Sequence, residues 1–222
     1  MQIEPIAYAR NGFSSKFGIP RQSWENSCIE TRIVFEPCCR QAEALRGIEQ
    51  FSHLWLLWGF SQVEHERHQD TKPLHLTARP PRLGGNTRMG VFATRSPYRP
   101  NPIGLTSVRL ARLDGLDLIV IGADLMDGTP IYDIKPYLPF SDAHTDARGG
   151  YADAVCDYRL SVRWLCDCPT NVLEWEEILS QDPRPAYQDD ISRVYKLDYA
   201  GYCASFRVEK NTLWVDKMDK IY

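Results

Sequence analysis

The chain has 222 residues, of which 43% are hydrophobic and 25% are charged, so it has enough apolar material for a core and too little bias for a disordered protein. Its formal net charge of -3 argues against a purely electrostatic nucleic-acid binder, and any contact with nucleic acid must come from a local patch. No apolar run approaches the roughly 20 residues that span a bilayer, and the first residues lack the pattern of a signal peptide. We therefore expect a cytoplasmic protein without a membrane-spanning segment.

Short strand-forming segments separated by Gly, Pro and Asp dominate the first two thirds of the sequence. The pattern predicts one helix over residues 41–50 and strands over 3–9, 31–35, 54–60, 90–94, 106–113, 116–125 and 131–134. Asp114-Gly115 lies between two alternating apolar runs and predicts a two-residue hairpin turn. Because no Gly-x-Gly-x-x-Gly helix start is present and strands hardly alternate with helices, a closed or strongly curved β-sheet is favoured over a dinucleotide-binding fold.

The sequence changes in character beyond residue 142. A polar stretch that contains Arg148, Gly149 and Gly150 resembles a linker. The remainder predicts a helix over 172–179 and strands over 193–197, 202–208 and 212–215. We therefore expect a mainly β domain over residues 1–147 and a small α+β domain over 148–222.

Seven cysteines are present, and their spacing does not match a known metal site. The neighbouring Cys38 and Cys39, and the pair Cys166 and Cys168, could be redox or metal sites. No second pair completes four ligands in either case, so reduced thiols and no bound metal are the expectation.

Arginine is unusually dense between residues 79 and 104, where Arg79, Arg82, Arg88, Arg95 and Arg99 alternate with Pro and Gly rather than with acidic residues. Rigid turns that hold several guanidinium groups suit bidentate contact with phosphates. Tyr98 and Asn101 in the same segment could stack on an unpaired base and hydrogen-bond it. The alternative is a solvated loop whose arginines pair with surface carboxylates.

A second polar segment, residues 124–137, places three carboxylates and a lysine around a tight turn and along one strand. Asp133 and Lys135 share a face because side chains alternate along a strand. With Asp124 and Asp127, they could form a polar ligand site or supply a general base. The alternative is a turn-forming Asp127 and an ion pair on the strand.

Several long strings in this sequence are nearly uninterrupted matches to one family. They are RSPYRPNPIG at 95–104, RPPRLGGN at 79–86, DGTP at 127–130, DIKPY at 133–137, KFGIPRQ at 16–22, FSHLW at 51–55 and QDPRPAY at 181–187. Together they span essentially the whole chain and resemble the TrmO/TsaA (YaeB-like) family of tRNA methyltransferases. The resemblance implies a single-sheeted β-barrel methyltransferase outside the Rossmann class, with a small α+β C-terminal domain. It also implies a homodimer that binds S-adenosylmethionine near the subunit interface.

The reaction that the resemblance implies is methylation of N6-threonylcarbamoyladenosine at tRNA position 37, in the anticodon stem-loop of a threonine tRNA, giving N6-methyl-N6-threonylcarbamoyladenosine. Carried over position by position, it places ten residues around the methyl donor: Pro20, Arg21, Gln22, Ser61, Gln62, Arg95, Leu105, Ala123, Asp124 and Leu125. Ser61 stands where the bacterial pattern has His, and its hydroxyl or backbone would replace the ring.

The carbamoyl group makes the N6 proton of such a substrate more acidic, so a modest base suffices and in-line alignment supplies much of the acceleration. Asp127, Asp133 beside Lys135, or an ordered water is the expected base. The expected tRNA contacts are Arg79, Arg82, Arg88, Tyr98, Arg99, Asn101, Arg184 and Tyr187. Tyr187 could instead anchor its turn to the barrel.

Two other functions are compatible with the same residues. The chain could be a tRNA-binding module without catalysis, although intact Gln22, Arg95 and the segment 124–128 argue against that hypothesis. It could also be a metal-dependent hydrolase that uses Asp124, Asp127 and Asp133 with His144, which requires converging ligands.

Overall fold

The computed structural model describes residues 3–20, 26–60, 63, 76–80, 87–155, 158–169, 171–184 and 190–221. Six strands close into an antiparallel barrel in the order β1-β2-β7-β6-β3-β8. Their bounds are β1 Ala7–Arg10, β2 Glu30–Phe35, β3 His53–Gly59, β6 Ile103–Asp114, β7 Asp117–Ile121 and β8 Pro130–Pro136. The predicted β-barrel is confirmed.

Alternation of side chains fills the barrel with apolar residues. Leu54, Leu56 and Trp58 of β3 are buried, whereas Trp55 and Leu57 between them face outward and are partly exposed. This period of two is the one expected for a closed sheet with a packed interior. One end of the barrel is closed by residues 36–52, which contain helix α1 (Ala42–Leu45) and a short 3-10 turn at Ile48–Gln50.

Long loops leave the barrel at its other end, which we call the loop rim. Gly59 lies opposite Ile103, Glu30 lies opposite Ile121, and the antiparallel pairing of β6 with β7 directs the end of β7 to the same side of the barrel as the start of β6. The loops at this rim are residues 11–29, 60–102 and 122–129. The short strands β4 (Thr77–Ala78) and β5 (Met89–Gly90) pair with each other inside the second of these loops.

The second domain is a four-stranded sheet in the order β10-β11-β12-β9. The strands are β9 Ser161–Trp164, β10 Tyr195–Tyr199, β11 Tyr202–Glu209 and β12 Thr212–Lys220, and β9 runs parallel to β12. A helix, Val172–Ser180, packs Trp175, Ile178 and Leu179 into the core of this sheet. We call this helix α3, because the short helix α2 (Pro139–Asp142) precedes it in the chain. No helix in the described ranges is long and apolar enough to cross a membrane.

The loop after β1 connects the two cores. Phe13 is fully buried among side chains of the second domain, and its ring lies 4.8 Å from that of Tyr199. Gly12 lies against the same tyrosine, and its carbonyl accepts a hydrogen bond from the backbone of Ala200. A segment early in the chain therefore completes the core of the C-terminal domain. The division at residue 147 stays a prediction.

Four sequence predictions differ from the structure in local detail. The helix over 41–50 breaks because Gly47 adopts a left-handed conformation with φ of 88°. The strand over 116–125 ends at Ile121, since Gly122 turns the chain with φ of 82°. The strand over 90–94 was wrong, because a 3-10 turn, Val91–Ala93, follows Gly90. Strand β9 was not predicted, because it is a short parallel edge strand.

The hairpin between β6 and β7 has the predicted two-residue turn, displaced by one residue. Asp114 pairs with Asp117, so the turn residues are Gly115 and Leu116, and Gly115 supplies the positive φ of 63°. The remaining predicted strands and the helix at 172–179 are confirmed, with ends that coincide or differ by at most five residues.

Candidate functional site

The loop rim brings together strings that are far apart in the sequence. KFGIP at 16–20, the segment 87–104 and DGTP at 127–130 all belong to loops or strand ends at this rim. Antiparallel closure is the reason, because alternate strand connections must emerge at the same end of the barrel. The rim, with the end of the barrel that it surrounds, which we call the mouth, is the candidate active site.

A chain of three side chains leads from the barrel interior to the mouth. The indole Nε1 of Trp58 donates to Oγ1 of Thr106 at 2.9 Å, and Oγ1 of Thr106 donates to Oδ1 of Asp124 at 2.6 Å. Trp58 and Thr106 are buried on neighbouring strands, and Asp124 lies in the loop after β7. Asp124 is therefore a carboxylate held at the mouth by a buried hydroxyl.

Removal from water raises the pKa of Asp124 above its ordinary value. The hydrogen bond from Thr106 and the positive charge of Arg95 both act in the opposite direction, because they favour the ionised form. Arg95, which is exposed on its loop, thus lies close enough to Asp124 to influence it. The structure brings together these two residues of the predicted donor site.

Hydrogen bonds from Asn11 hold the loop that carries Asp124. Its side-chain Nδ2 donates to the carbonyl of Leu125 at 2.9 Å, and its backbone N–H donates to Oδ1 of Asp127 at 3.1 Å. The backbone N–H of Asp127 in turn donates to the carbonyl of Phe13 at 2.9 Å. Arg10 lies 3.5 Å from the other carboxylate oxygen of Asp127. Asp127 therefore fixes the conformation of its turn.

Of the other residues predicted to contact the methyl donor, three are buried and one lies on the outer face of the barrel. Ala123 and Leu125 flank Asp124 and are buried, and Pro20 is buried in the loop after β1. Leu105, by contrast, is 55% exposed on the outer face of β6, because it alternates with the inward-facing Thr106.

The predicted catalytic residues Asp133 and Lys135 form an ion pair on the outer face of β8. Oδ2 of Asp133 lies 2.8 Å from Nζ of Lys135, and Oδ1 accepts a hydrogen bond from the backbone of Ile134. Asp133 pairs across β3 with Leu57, which in turn pairs with Leu105. Asp133 and Leu105 thus form one outer-face group, separate from Asp124 and Asp127 at the mouth.

The arginine-rich loop exposes cationic and aromatic side chains together. Arg79, Arg88, Arg95 and Asn101 are exposed, and Tyr98 is 51% exposed. Phe92, which the sequence analysis did not single out, is 76% exposed in the same loop. The signal that could have revealed it is an aromatic residue two positions after Gly90, inside the short turn Val91–Ala93. Arg99 donates to the carbonyl of Thr94 at 3.2 Å, which orders the loop.

Arg184 is buried and bonded within its own turn. Its guanidinium makes two hydrogen bonds of 2.8 and 2.9 Å to the carboxylate of Asp182, and its side chain is only 9% exposed. Tyr158 donates to the same carboxylate at 3.2 Å. This geometry favours a structural role for Arg184 in the turn after α3, contrary to the predicted tRNA contact.

Six predicted site residues lie outside the described residues: Arg21, Gln22, Ser61, Gln62, Arg82 and Tyr187. Within the described ranges, no group of three or more His, Cys, Asp or Glu side chains converges as a possible metal site. A cavity of about 350 Å³ lies at the end of the barrel opposite the mouth, beside Arg46, Phe51 and Pro136. It contains none of the predicted donor-site residues.

Comparison with known proteins gives consistent matches over both domains. The family profile described as the tRNA-methyltransferase O N-terminal domain matches residues 8–143, and the profile of the TrmO C-terminal domain matches residues 172–221. The tRNA (adenine(37)-N6)-methyltransferase of Escherichia coli K12 is 40% identical over 224 aligned residues, which cover 93% of each chain.

Two matches from Pseudomonas aeruginosa agree with this result. A protein with the provisional name of an S-adenosylmethionine-dependent methyltransferase, RcsF, is 44% identical over 84% of this chain and 83% of its own length. The crystal structure of TrmO from P. aeruginosa superposes with a TM-score of 0.78 at 33% identity, covering 99% of this chain and 97% of that one.

We predict that Arg184→Ala destabilises the protein by about 3 kcal/mol, because it leaves the carboxylate of Asp182, whose side chain is only 15% exposed, without its charge partner. Arg207→Ala is the matched control, since Arg207 is half-exposed in the same domain and pairs with Asp216 at 3.2 Å, and we expect a loss below about 1 kcal/mol. Urea denaturation gives the free energy of unfolding of both variants. Normal stability of Arg184→Ala together with weakened tRNA binding would restore the phosphate-contact hypothesis.

Proposed function

The chain belongs to the TrmO family and is an S-adenosylmethionine-dependent tRNA (adenine-N6)-methyltransferase, and we propose that its substrate is N6-threonylcarbamoyladenosine at position 37 of a threonine tRNA. The geometric observation that carries the placement of the reaction is the carboxylate of Asp124, held at the mouth beside Arg95. Around this point the loop rim displays exposed arginines and aromatic rings, which suit an RNA loop. Cytoplasmic residence stays a prediction.

We place the methyl donor at the mouth, against Asp124, Arg95 and the backbone of the loop that Asn11 holds. The donor carries a sulfonium, an ammonium and ribose hydroxyls, all of which an ionised carboxylate can attract or accept bonds from. Pro20 precedes Arg21 and Gln22 in the neighbouring loop, and Phe60 precedes Ser61 and Gln62. These four residues stay predictions for the same site.

We further propose that the enzyme works as a homodimer in which the outer-face group of one copy meets the mouth of the other. Within one copy, Leu105 and Asp124 lie on opposite sides of β6, so a ligand inside the mouth cannot contact both. Leu57 and Leu105 form an apolar strip on that outer face, next to the ion pair of Asp133 and Lys135. A second copy placed there would bury the strip and bring these residues to the donor.

Proton removal from N6 is assigned to Asp133 or Asp127, and an ordered water remains the third candidate. Both carboxylates are held by a cation and a backbone N–H, which fixes their orientation. A carboxylate is a weak base. A weak base is adequate, because the carbamoyl group already acidifies the proton. Alignment of N6 with the methyl group supplies most of the rate enhancement.

The substrate proposal predicts selective methyl transfer. Purified enzyme should transfer labelled methyl from S-adenosylmethionine to tRNA isolated from a strain that lacks this gene. It should leave free adenosine and tRNA without the threonylcarbamoyl group unlabelled. Label of equal intensity in tRNA without that group would contradict the proposed substrate, while the methyltransferase class would stand.

For the arginine-rich loop, we expect Arg88→Ala to weaken tRNA binding and to lower the slope of log K against log salt by about one, the effect of one lost phosphate contact. Affinity for S-adenosylmethionine should be unchanged. Arg46→Ala is the control, since Arg46 is an exposed arginine directly after α1, at the end of the barrel opposite the rim. Binding measured at several salt concentrations gives both slopes. An unchanged slope for Arg88→Ala would mean that this side chain is only solvated.

The dimer proposal predicts that Leu105→Glu yields a monomer that binds S-adenosylmethionine weakly, because a charge cannot be buried in an apolar interface without a partner. Leu173→Glu should remain a dimer, since Leu173 is 68% exposed on α3 in the other domain. Light scattering after size-exclusion chromatography and calorimetric titration give the two readouts. A monomeric wild type, or a dimeric Leu105→Glu with wild-type affinity, would contradict the proposal.

A further inference from the structure

We propose that Trp58 and Thr106 are positioning residues for the methyl-donor site, in which they hold the carboxylate of Asp124 in one orientation. This inference rests on the proposed function, because it takes Asp124 as a donor-binding residue. It assigns roles to two buried side chains that the motifs of the sequence do not identify.

The direction of the hydrogen bonds follows from the chemistry of the three groups. An indole N–H can only donate, so Oγ1 of Thr106 must accept from Trp58. The hydroxyl then directs its own proton to Oδ1 of Asp124, at a separation of 2.6 Å that is typical of a bond to a charged oxygen. The donation from Trp58 polarises the hydroxyl and strengthens the second bond. The carboxylate is the acceptor at the end of the chain.

Trp58 and Thr106 are shielded from water. Trp58 is 7% exposed and Thr106 is 4% exposed, so water cannot readily replace the hydroxyl of Thr106 or the indole N–H. Desolvation of Asp124 favours its neutral form, whereas the bonds from Thr106 and its own backbone and the charge of Arg95 favour the ionised form. Loss of the Thr106 hydroxyl removes the first of these stabilising contacts and frees the carboxylate to rotate.

The position of the indole is itself fixed by its neighbours. A Cβ atom on residue 104 would overlap the six-membered ring of Trp58, so Gly104 is required for the ring to lie against β6. Phe60 packs edge-on against the same indole at 4.4 Å between ring centroids. The glycine that ends the string at 95–104 thus has a physical role, because it admits the first donor of the chain.

The test compares Thr106→Val, which keeps the shape but lacks the hydroxyl, with Thr106→Ser, which keeps the hydroxyl. Calorimetric titration with S-adenosylmethionine over a range of pH is the readout. We expect Thr106→Val to bind about tenfold more weakly at neutral pH, as the loss of one bond to a charged group implies. Thr106→Ser should stay close to the wild type, and Trp58→Phe should lie between the two.

The pH dependence has a definite sign. A hydrogen bond to the ionised carboxylate lowers the pKa of Asp124, so its removal in Thr106→Val raises that pKa. Because the ionised form binds the donor, affinity lost on acidification should be lost at a higher pH in Thr106→Val than in the wild type. Thr106→Ser should restore the wild-type profile.

Control experiments distinguish a wrong role for Thr106 from a wrong placement of Asp124 and from misfolding of a variant. Ser205→Ala removes a buried hydroxyl from the second domain and should leave donor affinity unchanged, and circular dichroism confirms that each titrated variant is folded. Equal affinity of Thr106→Val and Thr106→Ser, or an unshifted pH profile in the folded Thr106→Val, would overturn the positioning role. Unchanged donor affinity of Asp124→Asn would instead overturn the placement of Asp124 in the donor site.

Discussion

Closure of six antiparallel strands into one barrel is the constraint on which the rest of the structure depends. The antiparallel pairing directs the end of β3 at Gly59, the start of β6 at Ile103 and the end of β7 at Ile121 to the same side of the barrel, so loops that are far apart in sequence emerge there together. The opposite end can then be closed by short connections and by Leu45. A barrel of this size has a filled interior, and the site is therefore built on its rim and outer wall rather than in a central pore.

The rim loops would carry unpaired backbone groups if nothing held them. The side chain of Asn11 satisfies two of these groups, the carbonyl of Leu125 in the loop that carries Asp124 and the N–H of Phe13. Two residues later, Phe13 enters the core of the second domain. One short segment thus couples the barrel, the acidic loop and the C-terminal sheet, because Phe13 packs among the buried residues of that sheet.

Three aspartates that look alike in the sequence have different environments. Asp127 is bonded by the chain it turns against, and Asp133 is neutralised by Lys135 on an exposed wall. Asp124 alone among these three has a carboxylate that is desolvated and hydrogen-bonded by a buried hydroxyl. Desolvation strengthens electrostatic interactions with a bound ligand, which is why we place the cationic methyl donor at Asp124.

The sequence by itself determined the fold class, most of the strands and the family, because period-two alternation and long motif strings are local properties of the chain. It also placed Arg95 and Asp124 in one site, through the resemblance. Only the tertiary structure separated Leu105 from Asp124, since which face a side chain occupies depends on the register and on where Gly122 turns the chain. Only the tertiary structure, likewise, paired Arg184 with Asp182 and aligned Trp58 and Thr106 behind Asp124. Trp58, Thr106 and Asp124 come from β3, β6 and the loop after β7. They are in contact because the closed sheet places those elements side by side.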